Sequence, residues 1–239
     1  MTSLFITSGN RKDGKTFVSA GFATTMQSLG YSTSVFKPIQ TRGIDINGFT
    51  QSPDLTFIKT MDPYINTHFS YIFKSNKEPL ISAELDNKQI DLDLIVNDYS
   101  RILNSSDCTI IDGECGILSP IAPSIQTIDI VKKMQVPLLI IMKPNEESIN
   151  NVLMTINTAQ EKGILVRGVI LNNITENCPK ATLTNITRII EEYSNVNILG
   201  LIPNLGEKFK PEDLISGILN GVDIESVFNV KIEKLELNQ

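Results

Sequence analysis

The amino-acid sequence predicts an α/β fold in which a doubly wound, mostly parallel sheet carries helices on both faces. Short and nearly continuous apolar runs recur along the chain, which indicates strands that are buried on both sides. Each run is followed by a longer stretch with apolar residues at helical spacing, so strands and helices alternate. In sheets of this kind, ligand-binding loops lie at the carboxyl ends of the strands.

The elements follow from these patterns in chain order. Strands are predicted at about 4–6, 32–36, 109–111, 137–142, 166–171 and 196–202. Helices are predicted at about 15–29, 92–103, 125–134, 148–162, 180–193 and 211–219. The irregular stretch from about 41 to 88 contains several Gly and Pro residues and is predicted to be an active-site excursion within a single domain, 1–239. The polar tail after Val222 is predicted to be a surface strand or a loose end.

Composition excludes several classes of protein. Of the 239 residues, 21 are Lys or Arg and 27 are Asp or Glu, for a net charge of -6, which argues against a nucleic-acid partner. No apolar run approaches the length of a membrane span, and the N-terminus lacks the pattern of a signal peptide, so we expect no membrane partner and a cytoplasmic protein. One histidine and three cysteines without ligand spacing argue against a zinc site.

The strongest motif is a phosphate-binding loop. Residues 9–16, G-N-R-K-D-G-K-T, match G-x-x-x-x-G-K-[ST] directly after the first predicted strand and at the start of the first predicted helix. Backbone N–H groups of such a loop surround phosphates, the lysine reaches the β- and γ-phosphates, and the threonine hydroxyl is a ligand of Mg²⁺. We therefore expect a P-loop NTPase that uses ATP and Mg²⁺. The predicted nucleotide-binding residues of this loop are Gly9, Asn10, Arg11, Lys12, Asp13, Gly14, Lys15, Thr16 and Phe17.

Three charged residues are candidates for metal binding or phosphoryl transfer. Asp112 follows a buried strand and is a candidate Mg²⁺ ligand, although an aspartate there can also cap the following turn. Asp54 is a second candidate ligand, or an N-terminal helix residue favoured by the helix dipole. Lys37 either stabilises charge that develops during phosphoryl transfer or is a solvated lysine at the end of a strand.

Several motifs together resemble the dethiobiotin synthetase family, within a larger group of P-loop enzymes that includes cobyrinate amide synthetases and the ParA/MinD ATPases. The resemblance covers nearly the whole chain. Besides the phosphate loop, the motifs are Lys37-Pro-Ile-Gln-Thr41, Asp54, Ile111-Asp112-Gly113 with Gly116, Leu171-Asn172-Asn173 and Leu199-Gly-Leu-Ile-Pro203.

The resemblance implies a reaction and a set of roles. CO₂ or bicarbonate would convert an amine of a small diamine (7,8-diaminononanoate) into a carbamate, ATP would phosphorylate that carbamate, and the second amine would close a cyclic urea. Lys15 and Lys37 would be catalytic together with Thr41, while Thr16, Asp54 and Asp112 would hold Mg²⁺. The remaining implied roles are base recognition by Asn172 and Pro203, substrate binding by Thr41, Gly113, Glu147 and Asn150, and assembly into a homodimer.

The sequence departs from the family pattern at Lys12, Glu114, Cys115 and Glu147, and these departures leave other functions open. One alternative is an ATP-dependent ligase or amide synthetase that acts on another small substrate. Another is a regulatory ATPase of the ParA/MinD type, although the lysine that those proteins carry after the first glycine of the loop is Asn10 here. A third is a nucleotide-binding module without turnover.

Overall fold

The centre of the molecule is a seven-stranded sheet in the computed structural model, which describes residues 1–232 apart from the side chain of Cys115. The strands are β1 (Thr2–Ser8), β2 (Thr33–Gln40), β3 (Ile44–Ile46), β4 (Phe49–Gln51), β5 (Asn66–Ile72), β6 (Cys108–Cys115), β7 (Pro120–Ala122), β8 (Ile125–Gln126), β9 (Leu138–Met142), β10 (Val166–Ile174) and β11 (Ile198–Pro203). The helices are α1 (Lys15–Ser28), α2 (Pro53–Met61), α3 (Pro79–Leu85), α4 (Leu92–Leu103), α5 (Thr127–Met134), α6 (Ile149–Glu161), α7 (Lys180–Ser194), α8 (Pro211–Gly221) and α9 (Ile224–Phe228), with a 3-10 turn at Glu146–Ser148.

The sheet has the order β11-β10-β9-β1-β6-β2-β5, and all its neighbouring strands are parallel. One apolar cluster joins it to α4, α5, α6 and α7, and a second cluster joins it to α1, α2, α8 and α9. Strands β2 and β9 are buried along their whole length, as strands covered on both faces must be. The predicted fold class is confirmed.

The stretch from 41 to 88 contributes a strand to the central sheet that was not predicted from the sequence. It forms the antiparallel hairpin β3–β4, helix α2, strand β5 and helix α3, and β5 pairs with β2 at the edge of the sheet. The sequence Asn66–Ile72 mixes polar and apolar residues without strict alternation and is only partly buried, so it lacks the continuous apolar run by which the inner strands were recognised.

The prediction for the tail after Val222 is wrong for the residues that the structure describes. Asp223 begins a short helix by accepting a hydrogen bond from the backbone N–H of Ser226. This helix, α9, buries Val227 and Phe228, and the ring of Phe228 packs edge-on against Phe22 at 5.3 Å. Residues 233–239 lie outside the described part of the chain. Within residues 1–232, no helix combines the length and the apolar character that crossing a membrane requires.

Candidate active site

The phosphate loop has a backbone that only glycine fits at its last turn. Gly14 lies at φ +91°, and a Cβ atom there would lie 2.2 Å from Nδ2 of Asn172. That amide donates a 2.8 Å hydrogen bond to the carbonyl of Asp13, which ties the loop to the end of β10. The Asp13 carboxylate in turn accepts a 3.1 Å hydrogen bond from the backbone N–H of Asn10, while burial raises the pKa of Asp13. The loop is therefore pre-formed.

The two side chains expected to contact phosphate and metal follow the loop directly. Lys15 begins α1, and its ammonium donates a 3.1 Å hydrogen bond to the hydroxyl of Ser8. The Thr16 hydroxyl donates to Oδ2 of Asp112 at 3.0 Å. Because β1 and β6 are parallel neighbours, with Ile6 opposite Asp112, the loop after β1 and the acid on β6 meet at the same edge of the sheet.

Lys37 lies at the centre of a buried ionic network. Its ammonium is 2.8 Å from Oδ2 of Asp54 and 3.0 Å from Oδ2 of Asp112. Burial by itself lowers the pKa of Lys37, but Asp112, Asp54 and Glu114 outweigh it and raise the pKa above its ordinary value. Lys37 is only 4% exposed, which rules out a solvated lysine at the end of the strand.

The two aspartates that pair with Lys37 belong to different elements. Asp112 is fully buried, and its two carboxylate oxygens accept hydrogen bonds from Thr16 and from Ser19 on α1, so they face α1. Asp54 lies in the first turn of α2 after the N-cap Ser52, where the helix dipole and the ammonium of Lys37 both stabilise its negative charge. Burial opposes ionisation of Asp54, but Lys37 prevails and lowers its pKa.

This cluster has the chemistry of a site for a hard divalent cation. Thr16, Asp54 and Asp112 supply hydroxyl and carboxylate oxygens, the ligands that Mg²⁺ prefers in nucleotide sites. The ammonium of Lys37 lies between the carboxylates of Asp54 and Asp112 and neutralises part of their charge. The two carboxylates therefore create a negative potential that favours a bound cation. The donor set therefore fits Mg²⁺.

A cavity of about 660 Å³ opens in front of this network. Thr41 and Gly113 line it, as does Glu114, whose pKa is raised by burial although Lys37 and Lys15 act in the opposite direction. A Cβ atom on Gly113 would lie 2.1 Å from the ring of Phe5, so packing against β1 explains the glycine there. The full lining comprises Arg11, Lys12, Lys15, Thr16, Lys37, Gln40, Thr41, Arg42, Ile44, Pro53, Asp54, Gly113 and Glu114.

A second cavity, of about 520 Å³, shares the lining residue Lys12 with the first and is also lined by Gly14. It is lined by Phe17, Asn172 and Pro203, three of the residues predicted to contact the nucleotide. Asn172 is 2% exposed, and its Oδ1 atom has no hydrogen-bond partner among the described residues. A buried acceptor without a partner costs free energy, so this atom suits a ligand that donates an N–H group.

The aromatic wall of the second cavity was not predicted from the sequence. Phe209 lines this cavity and packs edge-on against Phe17, with ring centroids 5.3 Å apart. It lies between β11 and α8, outside any periodic pattern. The only available signal was an aromatic residue in an otherwise polar loop after the strand that ends at Pro203.

Two of the predicted substrate residues lie outside both cavities of this chain, and the family resemblance implies that they act across a dimer interface. Glu147 lies in the 3-10 turn and Asn150 in the first turn of α6, and both are exposed. Neither lines the cavity that contains Lys37 or the one that contains Asn172. Arg11 lines the first cavity but forms an ion pair with Glu78, the residue that precedes α3.

The parallel sheet, the phosphate loop between β1 and α1, and the acid at the end of β6 define the class: the protein is a P-loop NTPase. A family model described as an AAA domain matches residues 2–211, and the chain belongs to that family. The family uses nucleotides, in agreement with the phosphate loop.

Curated relatives are similar along most of the chain. The ATP-dependent dethiobiotin synthetase of Bacillus cereus (strain G9842) is 27% identical over 90% of this chain and 88% of its own length. The enzyme of the same name from Bacillus licheniformis is 28% identical over 96% and 97% of the two chains. The resemblance predicted from the motifs is confirmed.

Solved structures share the fold. The MinD cell division protein of Aquifex aeolicus aligns with a TM-score of 0.54 at 16% identity, over 91% of this chain and 87% of its own. A ParA family ATPase from Chlorobium tepidum TLS aligns with a TM-score of 0.56 at 16% identity, over 90% and 88% of the two chains. At such low identity the likeness concerns the fold alone.

Proposed function

We propose that this protein is an ATP- and Mg²⁺-dependent dethiobiotin synthetase-like enzyme that carboxylates a diamine and closes a cyclic urea. The enzyme class predicted from the sequence, an ATP-dependent ligase of the dethiobiotin synthetase type, is confirmed by relatives that match about 90% of the chain. The substrate, 7,8-diaminononanoate with CO₂ or bicarbonate, is the finer part of the proposal.

One observation carries this proposal: Lys15, Thr16, Lys37, Asp54 and Asp112 converge at the carboxyl ends of three neighbouring strands, in front of one cavity. In the proposed reaction an amine nitrogen bonds to the carbon of CO₂ and loses a proton to solvent. An oxygen of the carbamate then displaces ADP from the γ-phosphorus. The second amine attacks the carbamoyl carbon and loses a proton to solvent, and phosphate leaves as the ring closes.

Each residue has a task that its position allows. Asn172 and Pro203 would contact the base in the second cavity, and backbone N–H groups of the loop would bind the phosphates. Mg²⁺ held by Thr16, Asp54 and Asp112 would supply positive charge at the phosphates when bound. Lys37 lies where it would stabilise the charge that develops on the transferred phosphoryl group. Thr41 would orient the diamine from the wall of the cavity.

The test is release of ADP as a function of each component. We expect turnover to require 7,8-diaminononanoate, bicarbonate and Mg²⁺ together. Lys37→Met should lower kcat by about 100- to 1,000-fold and change the Kd for ATP less than about tenfold. Lys133→Met is the matched control, because Lys133 is an exposed lysine paired with Asp93 away from the cavity.

Two other results would contradict the proposal. If the diamine has no effect on ATP turnover but another amine or acid increases it, the protein is a different ligase. Turnover that rises only with a protein or DNA partner would indicate a regulatory ATPase. The proposal also includes assembly into a homodimer, since two-fold symmetric dimers are the commonest oligomers. Sedimentation of the purified protein checks this assembly.

A further inference from the structure

The side chain of Arg11 is held by an ion pair at the wall of the first cavity. A terminal nitrogen of its guanidinium donates to Oε1 of Glu78, the residue that precedes α3. Arg11 belongs to the phosphate loop and lines the cavity that contains Lys37, but it does not line the second cavity, where Asn172 lies. Arg11 is therefore on the side of the loop where phosphoryl transfer would take place.

Glu78 is itself fixed at its second carboxylate oxygen. The hydroxyl of Ser119 donates a 3.0 Å hydrogen bond to Oε2 of Glu78, so both oxygens of the carboxylate have a donor. Ser119 lies in the loop between β6 and β7, where its backbone N–H donates to the carbonyl of Gly116 and its carbonyl accepts from the N–H of Thr127. The Glu78 side chain thus joins three segments near the cavity: the phosphate loop, the start of α3 and the connection after β6.

The backbone on each side of this bridge is anchored. Ser82 of α3 is fully buried, and its backbone N–H donates to the carbonyl of Glu78 at 2.9 Å. The phosphate loop is anchored beside Arg11, since Nδ2 of Asn10 donates to the Ser148 hydroxyl at 2.9 Å. The bridge therefore connects two anchored segments, and what it restricts is the long side chain of Arg11.

The ion pair contributes more to orientation than to stability. The side chains of Arg11 and Glu78 are 54% and 41% exposed, and pairs at such exposure add little to the free energy of unfolding. A guanidinium carries five N–H donors, so the donors that Glu78 does not use remain for a ligand. An arginine that is already oriented loses less rotamer freedom when it binds that ligand.

We infer that Glu78 is a positioning residue, which holds the guanidinium of Arg11 where it stabilises the transferred phosphoryl group. This inference rests on the phosphoryl-transfer step of the proposed function and extends it to Glu78, which lines neither cavity. In that step an oxygen of the carbamate bonds to the γ-phosphorus, the bond from this phosphorus to the bridging oxygen breaks, and its electron pair leaves with ADP. Arg11 stabilises the negative charge on the γ-phosphoryl oxygens, and Glu78 acts through Arg11.

The experiment is a double-mutant cycle on kcat, measured by release of ADP at saturating ATP, Mg²⁺, bicarbonate and 7,8-diaminononanoate. Arg11→Ala should lower kcat about 100-fold, and Glu78→Ala about tenfold, because in the latter the guanidinium remains but is no longer oriented. The double variant should be no slower than Arg11→Ala, since the effect of Glu78 passes through Arg11. The Kd for ATP in Glu78→Ala should stay within about threefold of the native value, which a general weakening of the site would not allow. Glu78→Gln keeps an acceptor oxygen and should recover most of the kcat.

Two controls separate this role from a structural one. The charge swap Arg11→Glu with Glu78→Arg keeps an ion pair but places a carboxylate at the cavity, so kcat should stay at least about 100-fold below the native value. Glu192→Ala is the matched control, because Glu192 forms an exposed pair with Arg188 on α7, outside both cavities, and it should keep native kcat. All variants should unfold within about 3 °C of the native protein.

Three results would overturn the role of Glu78 while leaving the proposed function intact. They are native kcat in Glu78→Ala, losses that multiply in the double variant, and recovery of kcat by the charge swap. Failure of the native protein to turn over the diamine would remove the proposed function, and this inference with it.

Discussion

Replacement of Lys37 by methionine tests the buried network most directly. Methionine is one atom shorter than lysine and uncharged, so the variant keeps most of the packing but leaves Asp54 and Asp112 without a cation. At 2.8 and 3.0 Å, each contact corresponds to an attraction of about 6 kcal/mol at an effective dielectric constant of about 20. Desolvation offsets much of that, and removal of one partner from a buried ion pair typically costs about 3–5 kcal/mol. Because the Asp54 side chain is 31% exposed, we expect about 3 kcal/mol.

The assay is urea unfolding at pH 7 in the presence of a chelator. With a slope of about 3 kcal/mol per molar urea, the midpoint should fall by about 1 M. Lys15→Met is the control: its ammonium contacts the hydroxyl of Ser8 rather than a carboxylate, so its loss should cost about 1 kcal/mol. Addition of Mg²⁺ should stabilise Lys37→Met more than the native protein, since the cation meets two uncompensated acids.

The loss of stability in Lys37→Met should depend on pH. In the native protein Lys37 holds the pKa of Asp54 below its ordinary value although burial opposes it, so the pair contributes stability above about pH 4 and loses it as the pH falls further. The deficit of Lys37→Met should therefore be largest at neutral pH and shrink in acid. A variant as stable as the native protein at pH 7, or a deficit that is the same at pH 3, would refute the network as the source of the stability.

Three further perturbations probe the rest of the site. Gly14→Ala should lower the unfolding free energy by about 2 kcal/mol and abolish nucleotide binding, because its methyl group would lie 2.2 Å from Asn172. Gly30→Ala is the control, because Gly30 has φ +90° but open space around it. This control should lose about 1 kcal/mol and bind nucleotide normally. Glu114→Gln should stabilise the protein at pH 7, since burial raises the pKa of the glutamate and its ionisation in the folded state is unfavourable; the gain, measured by urea unfolding, should vanish below about pH 4. Asn172→Ala should weaken ATP binding about tenfold more than tripolyphosphate binding in calorimetry, because loss of the hydrogen bond to Asp13 affects the phosphate loop for both ligands, whereas the unpartnered oxygen in the second cavity is lost for ATP alone.

The elements that sequence analysis predicted well are those whose environment is repetitive. Inner strands such as β9 are apolar at every position because helices cover both faces, and the phosphate loop has a fixed spacing because its backbone must wrap around phosphates. The edge strand β5 and the helix α9 were not predicted. The polarity of β5 follows no regular pattern, and the five residues of α9 are too few to show a helical period. Their places depend on contacts with β2 and Phe22, which are distant in sequence.

The sequence left two roles open for Lys37, a solvated lysine and a residue that stabilises phosphoryl transfer, and only tertiary contacts distinguish them. A lysine after Val35-Phe36 is solvated unless acids reach it, and here the acids come from α2 and from β6, the latter 75 residues away. A charge that is 4% exposed is stable only with such partners, and Asp112, which is fully buried, depends equally on Lys37 and Thr16. The three elements are therefore joined through Lys37: its substitution leaves both carboxylates without a cation, whereas substitution of either aspartate leaves Lys37 one partner.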